Sequence, residues 1–425
     1  MNDFLKNKEE LIRKKVQEGA YALGNHNTQA SLEKDPDVYK IPIEFLTLNP
    51  FNSRIESQFL KLNIEEEDKR KKYYYPEGQK QLKDWILSKE LLKNEKTKKD
   101  LKEKGQALNA IITIDGVLIS GNRRFSIISQ INEKAKNDND KIKFLKVIIK
   151  KNIYFHQINK ILELEIKNQF NDDIALNYDR INTMISVKKF KKKTGKTDEE
   201  INEQFNRKGS VTNLLNTLEL INEYLVFINR KNNYELVSGL EYHFKILEMR
   251  NRQLNKSNVK IEIKWPIKPD DFLNFKKIFF RFLRFRPNRD KFFEIIKLTN
   301  EHGHILLRED IWTDFKKLVC DFYEGSMALE KNLFENQLDS EEIEKRMLSK
   351  KSLHFNDKIL EKYHKKIILL KNKNQPDKIA KIIEKNVNEI VTSGKDNPNF
   401  KLNKHSWQSL KNCLEQIQII LKNKK

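Results

Sequence analysis

One short stretch constrains the fold of this chain more than any other, because it combines a tight turn with the start of a helix. Two runs rich in β-branched residues, 111 to 114 and 117 to 120, flank Asp115-Gly116, a dipeptide that accepts positive φ and closes two-residue hairpins. Gly121-Asn122-Arg123-Arg124 follows at once, and apolar residues then recur at helical spacing. The stretch predicts a β-hairpin that leads directly into a helix.

The beginning of that helix is a suitable place for an anion. Backbone N–H groups and the positive end of the helix dipole point outward there. Arg123 and Arg124 can each hold phosphate oxygens in bidentate fashion. The alternative is an ordinary strand-to-helix junction with two solvated arginines, and so short a pattern does not choose between the two.

The order strand, Asp-Gly, strand, Gly-Asn-Arg-Arg, helix resembles the N-terminal domain of the ParB/sulfiredoxin-like superfamily, whose arginine box in ParB reads G-E-R-R-x-R-A. Upstream, residues 41 to 54 read I-P-I-E-F-L-T-L-N-P-F-N-S-R and are similar to the opening strand and the N-P-x-x-P-R box. Downstream, residues 163 to 169, E-L-E-I-K-N-Q, lie where ParB carries E-N-x-x-R. The resemblance covers roughly residues 38 to 225.

The resemblance implies a nucleotide site for CTP or another NTP with Mg²⁺. It assigns phosphate contacts to Arg54, Gly121, Asn122, Arg123, Arg124 and Asn168. The sequence departs from the ParB pattern at Ser53, at Ser126 and Ile127, and at Lys167 if Asn168 matches the family Asn. Because Mg²⁺ prefers oxygen ligands and a lysine offers none, these departures favour nucleotide binding over hydrolysis.

Enzymatic alternatives depend on a few carboxylates. Asp115, Glu163 and Glu165 are the only catalytic candidates near the arginine box, and a solvated helix face explains the two glutamates equally well. A nucleotide-dependent nuclease or NTPase of the same fold is the runner-up function. Sulfiredoxin activity is not expected, since that family reacts through the Cys of G-C-H-R and Asn122 stands in its place.

A helix-turn-helix sequence pattern follows the ParB-like region, as it does in ParB. Thr197 with Glu200 forms a capping box for a first helix, and Ser210 caps a second. The predicted phosphate contacts are Lys191, Lys192, Lys193, Arg207 and Lys208, and the residues expected near base edges are Thr212, Asn213 and Asn216. The cap residue Ser210 is also assigned to the DNA-binding surface. Helix hairpins in purely structural bundles share this pattern, so a purely structural role for the segment is an alternative to DNA binding.

Composition agrees with a polyanionic partner. The formal net charge is +22, although an AT-rich genome also raises lysine content, so an interaction protein that does not bind nucleic acid stays an alternative. Cys320 and Cys413 lack metal-ligand spacing, and the histidines are scattered. We expect no metal site built from Cys or His, no membrane association and a cytoplasmic location.

The chain divides by pattern into four parts: an N-terminal helical arm (1–37), the ParB/sulfiredoxin-like domain (38–155), a helical linker with the helix-turn-helix (156–225) and a mostly α-helical C-terminal domain (226–425). Within the last part, a phenylalanine stripe at 272 to 285 predicts a helix core, with a nucleic-acid-binding ridge as the alternative. Heptad spacing at 407 to 421 suits packing on neighbours or in a homodimer.

The sequence thus predicts an α+β, DNA-binding ParB-like protein of plasmid, phage or defence type, with a nucleotide that switches DNA binding.

Overall fold

A computed structural model of the chain describes residues 2–19, 37–65, 67–88, 91–171, 180–205, 210–255, 269–284, 286–287, 289–296, 309–335, 361, 384–385, 387–389, 392 and 404–422. The chain forms two compact units. The first comprises Met1–Val259, Lys268–Arg289 and Phe322–Met327, and the second comprises Lys260–Ile267, Asp290–Asp321 and Ala328–Lys425. The first unit contains every residue predicted to bind nucleotide or DNA.

A four-stranded mixed sheet lies in the first unit. Its strands are β1 (Tyr39–Pro42), β2 (Ala110–Thr113), β3 (Leu118–Ser120) and β4 (Phe144–Lys150), in the order β1-β4-β2-β3. β4 pairs antiparallel with β1 and parallel with β2, while β2 and β3 form the antiparallel hairpin. The predicted α+β class with a small mixed sheet is therefore confirmed.

Helices make up most of the remaining described structure. Those around the sheet are α1 (Asn2–Gln17), α2 (Glu56–Lys61), α3 (Glu67–Arg70), α4 (Pro76–Ser88), α5 (Leu91–Lys104), α6 (Asn122–Glu133) and α7 (Ile158–Asn171). Those that follow are α8 (Arg180–Thr194), α9 (Asp198–Gln204), α10 (Val211–Phe227), α11 (Glu241–Asn255), α12 (Pro269–Leu283), α13 (Arg289–Ile296), α14 (Glu309–Glu335) and α15 (Lys404–Lys422).

The predicted hairpin is present, and the first helix covers its turn. Gly116 has φ +83°, and a Cβ built there would lie 2.3 Å from the Phe45 carbonyl oxygen and 3.1 Å from Ile12 of α1. Lys8 of α1 also donates to the Leu46 carbonyl at 3.0 Å and to Thr47 Oγ1 at 2.7 Å. Helix α1 therefore packs on the sheet region.

Two predicted elements end earlier than expected. The sequence from Val38 to Leu46 predicts a single strand, but β1 stops at Pro42 and a 3₁₀ turn follows at Ile43–Phe45, because a proline has no N–H with which to extend the ladder. The first helix ends at Gln17, and Gly19 has a left-handed φ of +103°. The end predicted near Gly24 lies outside the described residues.

The apolar residues form separate clusters within the first unit. The largest lies against the sheet and includes side chains from α1, α2, α4, α5 and α6. A second joins α7 to α8, α9 and the start of α10, through Leu162, Ile166, Val187, Phe190, Ile201, Phe205 and Val211. The helix after β4 thus shares its core with the helix-turn-helix segment.

The phenylalanine stripe belongs to a helix core. Phe275, Phe279 and Phe282 of α12 are buried, which agrees with the structural interpretation and not with an exposed ridge.

The helix with heptad spacing, α15, has two partly exposed apolar side chains: Leu414 is 58% exposed and Ile417 is 36% exposed. The sequence also predicts a strand at 258 to 265, before Pro266, and these residues lie outside the described ones. Among the described helices, none is long and apolar enough to span a membrane.

Candidate functional site

Gly121 makes the sharp junction between β3 and α6. It is the N-cap of α6 with φ +94°, a left-handed conformation that favours glycine. A Cβ at this position would lie 2.7 Å from Ala110 Cβ on the neighbouring strand. Local geometry therefore requires the glycine of the arginine box whether or not an anion binds there.

The two arginines of the box are half-buried and hydrogen-bonded to the protein. Arg123 Nε donates to Asn94 Oδ1 of α5 at 2.8 Å. Arg124 Nη1 donates to the Leu108 carbonyl at 2.6 Å, just before β2. Neither side chain is simply solvated, and a phosphate at this site would have to compete with these bonds.

Asn122 joins the arginine box to residues 49 to 57, which begin with the N-P-x-x-P-R-like sequence and which we call the first box. Its side chain is buried, its Oδ1 accepts from the Asn49 N–H at 3.0 Å, and its Nδ2 donates to the Leu118 carbonyl at 2.9 Å. These bonds bring together segments that lie more than 70 positions apart in sequence. Asn122 thus fixes the relative position of two predicted phosphate-binding segments.

Asn49 leaves one buried polar group unsatisfied. The side chain is 0% exposed, and its Oδ1 accepts from the Phe51 N–H at 2.9 Å. Its Nδ2 has no hydrogen-bond acceptor among the described residues. A buried donor without an acceptor is rare, and it marks a position where a water or a ligand oxygen would be stabilised.

Glu165 of α7 also bonds to the first box. Both of its carboxylate oxygens lie 3.2 Å from the Ser53 nitrogen, and the residue is 3% exposed. Burial raises the pKa of Glu165 to about 8, and the nearby Glu56 carboxylate adds to this rise, while the Ser53 N–H and the cations Lys189 and Arg54 oppose it. The carboxyl is therefore mostly protonated at neutral pH.

A buried ion triad lies beside Glu165. The Glu56 carboxylate accepts from both terminal nitrogens of Arg70, at 2.8 and 2.9 Å, and from Lys189 of α8 at 2.8 Å. Glu56 and Arg70 are each 1% exposed. Burial alone would raise the pKa of Glu56, but Lys189 and Arg70 outweigh it and lower that pKa to about 2.

Asn182 adds two more bonds between α8 and the first box. Its Oδ1 accepts from the Ser57 N–H at 2.9 Å, and its Nδ2 donates to the Arg54 carbonyl at 3.0 Å. Together with the ion triad, these bonds attach residues 53 to 57 to α8, the helix that precedes the helix-turn-helix pair α9 and α10. We call this set of side chains, Glu56, Arg70, Glu165, Asn182 and Lys189, the buried joint.

Sequence patterns identify only one member of the buried joint, Glu165. Arg70 stands within a basic run and has the pattern of a solvated residue. It is instead a core residue whose guanidinium carbon lies 4.0 Å from the centre of the Phe59 ring. A lone charged residue within a lysine-rich run carries no sequence signal of burial, so only the fold reveals it.

The candidate carboxylates do not form one acidic centre. Asp115 is buried, hydrogen-bonds with Thr113, and accepts from the Phe155 N–H at 2.8 Å, which gives it a structural role in the hairpin turn. Glu163 is half-buried, and the side chain of Asn168 lies outside the described residues. The described residues contain no cluster of three or more His, Cys, Asp or Glu side chains suited to hold a metal ion.

The helix-turn-helix segment has both predicted caps. Thr197 and Glu200 make a reciprocal capping box, and Ser210 Oγ accepts from the Asn213 N–H at 3.2 Å. Thr212 Oγ1 donates to Asp198 at 2.6 Å, and Arg252 donates to the Asn213 side chain. The side chains of Ser210, Thr212 and Asn213, all predicted to contact DNA, therefore make hydrogen bonds within the protein.

The basic residues of the segment differ in their surroundings. Lys191 pairs with Asp198 at 2.7 Å, and Lys193 pairs with Glu67 of α3. Lys192 and Asn216 are exposed, so both are accessible to a partner. Arg207 and Lys208 lie outside the described residues.

Comparisons with known proteins add no relative. No protein-family model matches the chain, and no curated protein matches it. The resemblance to the ParB/sulfiredoxin-like superfamily therefore stays a prediction, and the function proposed below depends on the geometry of this chain.

Proposed function

We propose that this protein binds double-stranded DNA through α8, α9 and α10, and that a nucleotide phosphate near the first box and the arginine box alters how that module is held. One observation carries the proposal. Residues 49 to 57 bond directly to Asn122 of the arginine box, to Glu165 of α7 and to Asn182 and Lys189 of α8. A ligand that moves this segment would act on the sheet region and on α8 at once.

The residues around this segment suit a phosphate. Asn49 Nδ2 is a buried donor that lacks an acceptor within the described structure. Arg54, Arg123 and Arg124 add positive charge, and guanidinium groups bind phosphate oxygens in bidentate fashion. These four residues would hold a nucleotide phosphate, with Arg123 and Arg124 exchanging their bonds to Asn94 and Leu108 for bonds to phosphate oxygens.

The same surroundings do not suit Mg²⁺. Glu165 is buried with both oxygens at the Ser53 N–H, and the Glu56 carboxylate is already bound by Arg70 and Lys189. A magnesium ion needs oxygen ligands that are accessible to it. This chain contributes phosphate binding in our proposal, and we assign no hydrolytic step to it.

The nuclease or NTPase alternative has less support. Its carboxylate candidates are separated, since Asp115 is tied to the hairpin turn and Glu165 to Ser53. Acid-base catalysis requires groups that reach the substrate within hydrogen-bonding distance. The switch proposal instead uses hydrogen bonds that already join the two segments.

The switch depends on differential affinity. A nucleotide changes the arrangement of α8 to α10 only if it binds two arrangements with different strength. Nucleotide and DNA must therefore influence each other's affinity by the same factor, because linkage is reciprocal. We expect DNA to change the dissociation constant of the nucleotide.

Calorimetric titration tests the proposal. CTP, ATP and GTP with magnesium are titrated into the intact protein and into the Arg123→Ala, Arg124→Ala double variant, each with and without duplex DNA. We expect one nucleotide to bind and the double variant to lose that binding, while an Arg13→Ala control on α1 retains it. If no nucleotide binds the folded protein under either condition, the switch is refuted.

A further inference from the structure

An open cleft lies between the beginning of α7 and the end of α8. Its volume is about 340 Å³, and its charged walls are Lys160 of α7, Lys193 of α8 and Glu67 of α3. His156 completes the wall before α7. The cleft lies within the first compact unit and includes one of the lysines that the sequence assigns to DNA phosphates.

Charge in the cleft favours a singly charged anion. Two ammonium groups face one carboxylate, so one positive charge remains when His156 is neutral. Lys193 pairs with Glu67, and burial lowers the pKa of Lys193. An anion placed between Lys160 and Lys193 would therefore stabilise an ammonium group that has given up part of its hydration.

Backbone groups in the cleft add donors to these side chains. The Gln157 carbonyl accepts from the Ile161 N–H at 3.1 Å, so α7 begins there, and the Gln157 side chain is turned away to accept from the Tyr154 N–H at 3.3 Å. The N–H groups of residues 158 to 160 have no hydrogen-bond acceptor among the described residues. They supplement the two lysines as donors to an anion.

We infer that this cleft binds a phosphate of the DNA backbone, so that DNA held by α8 to α10 also contacts the start of α7. A phosphodiester carries a single negative charge, which matches the single excess charge of the cleft, whereas a nucleotide phosphate carries more. The cleft is continuous with the α8 lysines through Lys193, next to the exposed Lys192. The inference rests on the proposed DNA binding and assigns it a second surface.

The experiment measures duplex DNA binding by fluorescence anisotropy across a range of salt concentrations. The slope of log affinity against log salt falls in magnitude by roughly 0.9 for each phosphate that the protein no longer neutralises. We expect the Lys160→Gln, Lys193→Gln double variant to reduce the magnitude of this slope by about 1 and to weaken binding equally for all duplex sequences. Lys83→Gln is the matched control. Lys83 is also a partly buried lysine paired with a carboxylate, that of Glu133, and it lies far from Lys160 and Lys193 in the sequence.

A second variant separates binding from folding. Asn159→Asp places a carboxylate in the first turn of α7, where the helix dipole favours negative charge and raises helix stability. We expect Asn159→Asp to unfold at the same or a higher temperature and yet to bind DNA several-fold more weakly than the parent protein. A purely structural role for the cleft would leave DNA affinity unchanged in this variant.

The outcomes distinguish failure of DNA binding itself from failure of the cleft assignment. If the parent protein binds no duplex DNA, the proposed function fails together with this inference. If the parent binds DNA and both cleft variants retain its affinity and salt slope, the cleft assignment is overturned while DNA binding stands.

Discussion

The arginine box and the buried joint both bond to the same short segment, residues 49 to 57, and they use charge in different ways. At the arginine box, Arg123 and Arg124 are half-buried and bind a side-chain amide and a carbonyl. At the buried joint, Glu56 and Arg70 are 1% exposed and bind each other through two hydrogen bonds. The two arginines of the arginine box are thus partly accessible to solvent, whereas Glu56 and Arg70 are almost fully excluded from it.

This difference indicates which polar residues stabilise the fold and which are available to bind a ligand. An uncompensated buried charge is strongly destabilising, so the members of the joint depend on one another. A half-exposed arginine that loses its partner is solvated by water instead. We therefore expect substitutions in the joint to act on stability and substitutions in the arginine box to act on binding.

The largest expected effect comes from Arg70→Ala. Removing the guanidinium leaves Glu56 with Lys189 as its single cation partner in a buried site, which should lower the free energy of unfolding by about 3–5 kcal/mol. Urea denaturation measures the change. Lys61→Ala is the control, since Lys61 pairs with Glu235 at the surface and its removal should cost less than about 1 kcal/mol. Equal effects for the two variants would contradict the comparison.

Glu165→Gln should remove a pH dependence of stability. The pKa of Glu165 is raised to about 8 from an ordinary value of 4.5, so the folded state binds more protons than the unfolded state between these values. The free energy of unfolding therefore falls as pH rises through this window, by at most about 1.4 kcal/mol per pH unit. Urea denaturation at pH 5 and pH 8 should give a smaller difference for the variant than for the parent. The same difference in both proteins would show that Glu165 is not the group responsible.

Gly121→Ala should lower the free energy of unfolding by about 1–3 kcal/mol, because a left-handed residue and a close approach coincide there. Thermal unfolding measures the decrease. Adding Ala110→Gly removes the atom that the new Cβ would meet at 2.7 Å but leaves the backbone strain, so partial recovery is expected. Complete recovery would show that steric overlap, and not the φ of +94°, makes the glycine necessary.

Arg124→Gln should have the smallest effect on stability, within about 0.5 kcal/mol, because its side chain is half-exposed and glutamine can still donate. Nucleotide affinity measured on the same sample should fall at least tenfold if Arg124 binds phosphate. A variant that is destabilised as strongly as Arg70→Ala would place Arg124 among the structural residues and would end the contrast between the two sites.

Local patterns predicted much of the fold. Asp115-Gly116 predicted the hairpin, Thr197 with Glu200 predicted the start of α9, and Ser210 predicted the start of α10. Each of these signals depends on neighbours within a few positions, so it can be recognised without the tertiary structure. The end of β1 at Pro42 follows the same kind of local rule, although the strand prediction overlooked it.

The buried joint could not be predicted because its members meet only through the tertiary structure. Glu56 and Lys189 are separated by 133 positions and belong to different helices. Nothing in the periodicity of either helix distinguishes these residues from solvated charges. The arrangement of the arginine box was predictable only at Gly121, whereas the partners of Arg123 and Arg124, in α5 and before β2, depend on how α5 packs.

The order of strands in the sheet has a consequence for how the chain is made. Tyr39 of β1 pairs with Val147 of β4, so the ribosome completes the edge strand about 100 residues before its neighbour in the sheet. At synthesis rates of roughly 5–20 residues per second, β1 has no neighbouring strand for several seconds. The helices α9 and α10, in contrast, are close together in the sequence and can pack soon after they are made. Expression fragments that stop before residue 150 would lack the strand that connects β1 to β2. Such fragments should aggregate, and useful truncations of this protein should begin from its C-terminal side and leave β4 intact.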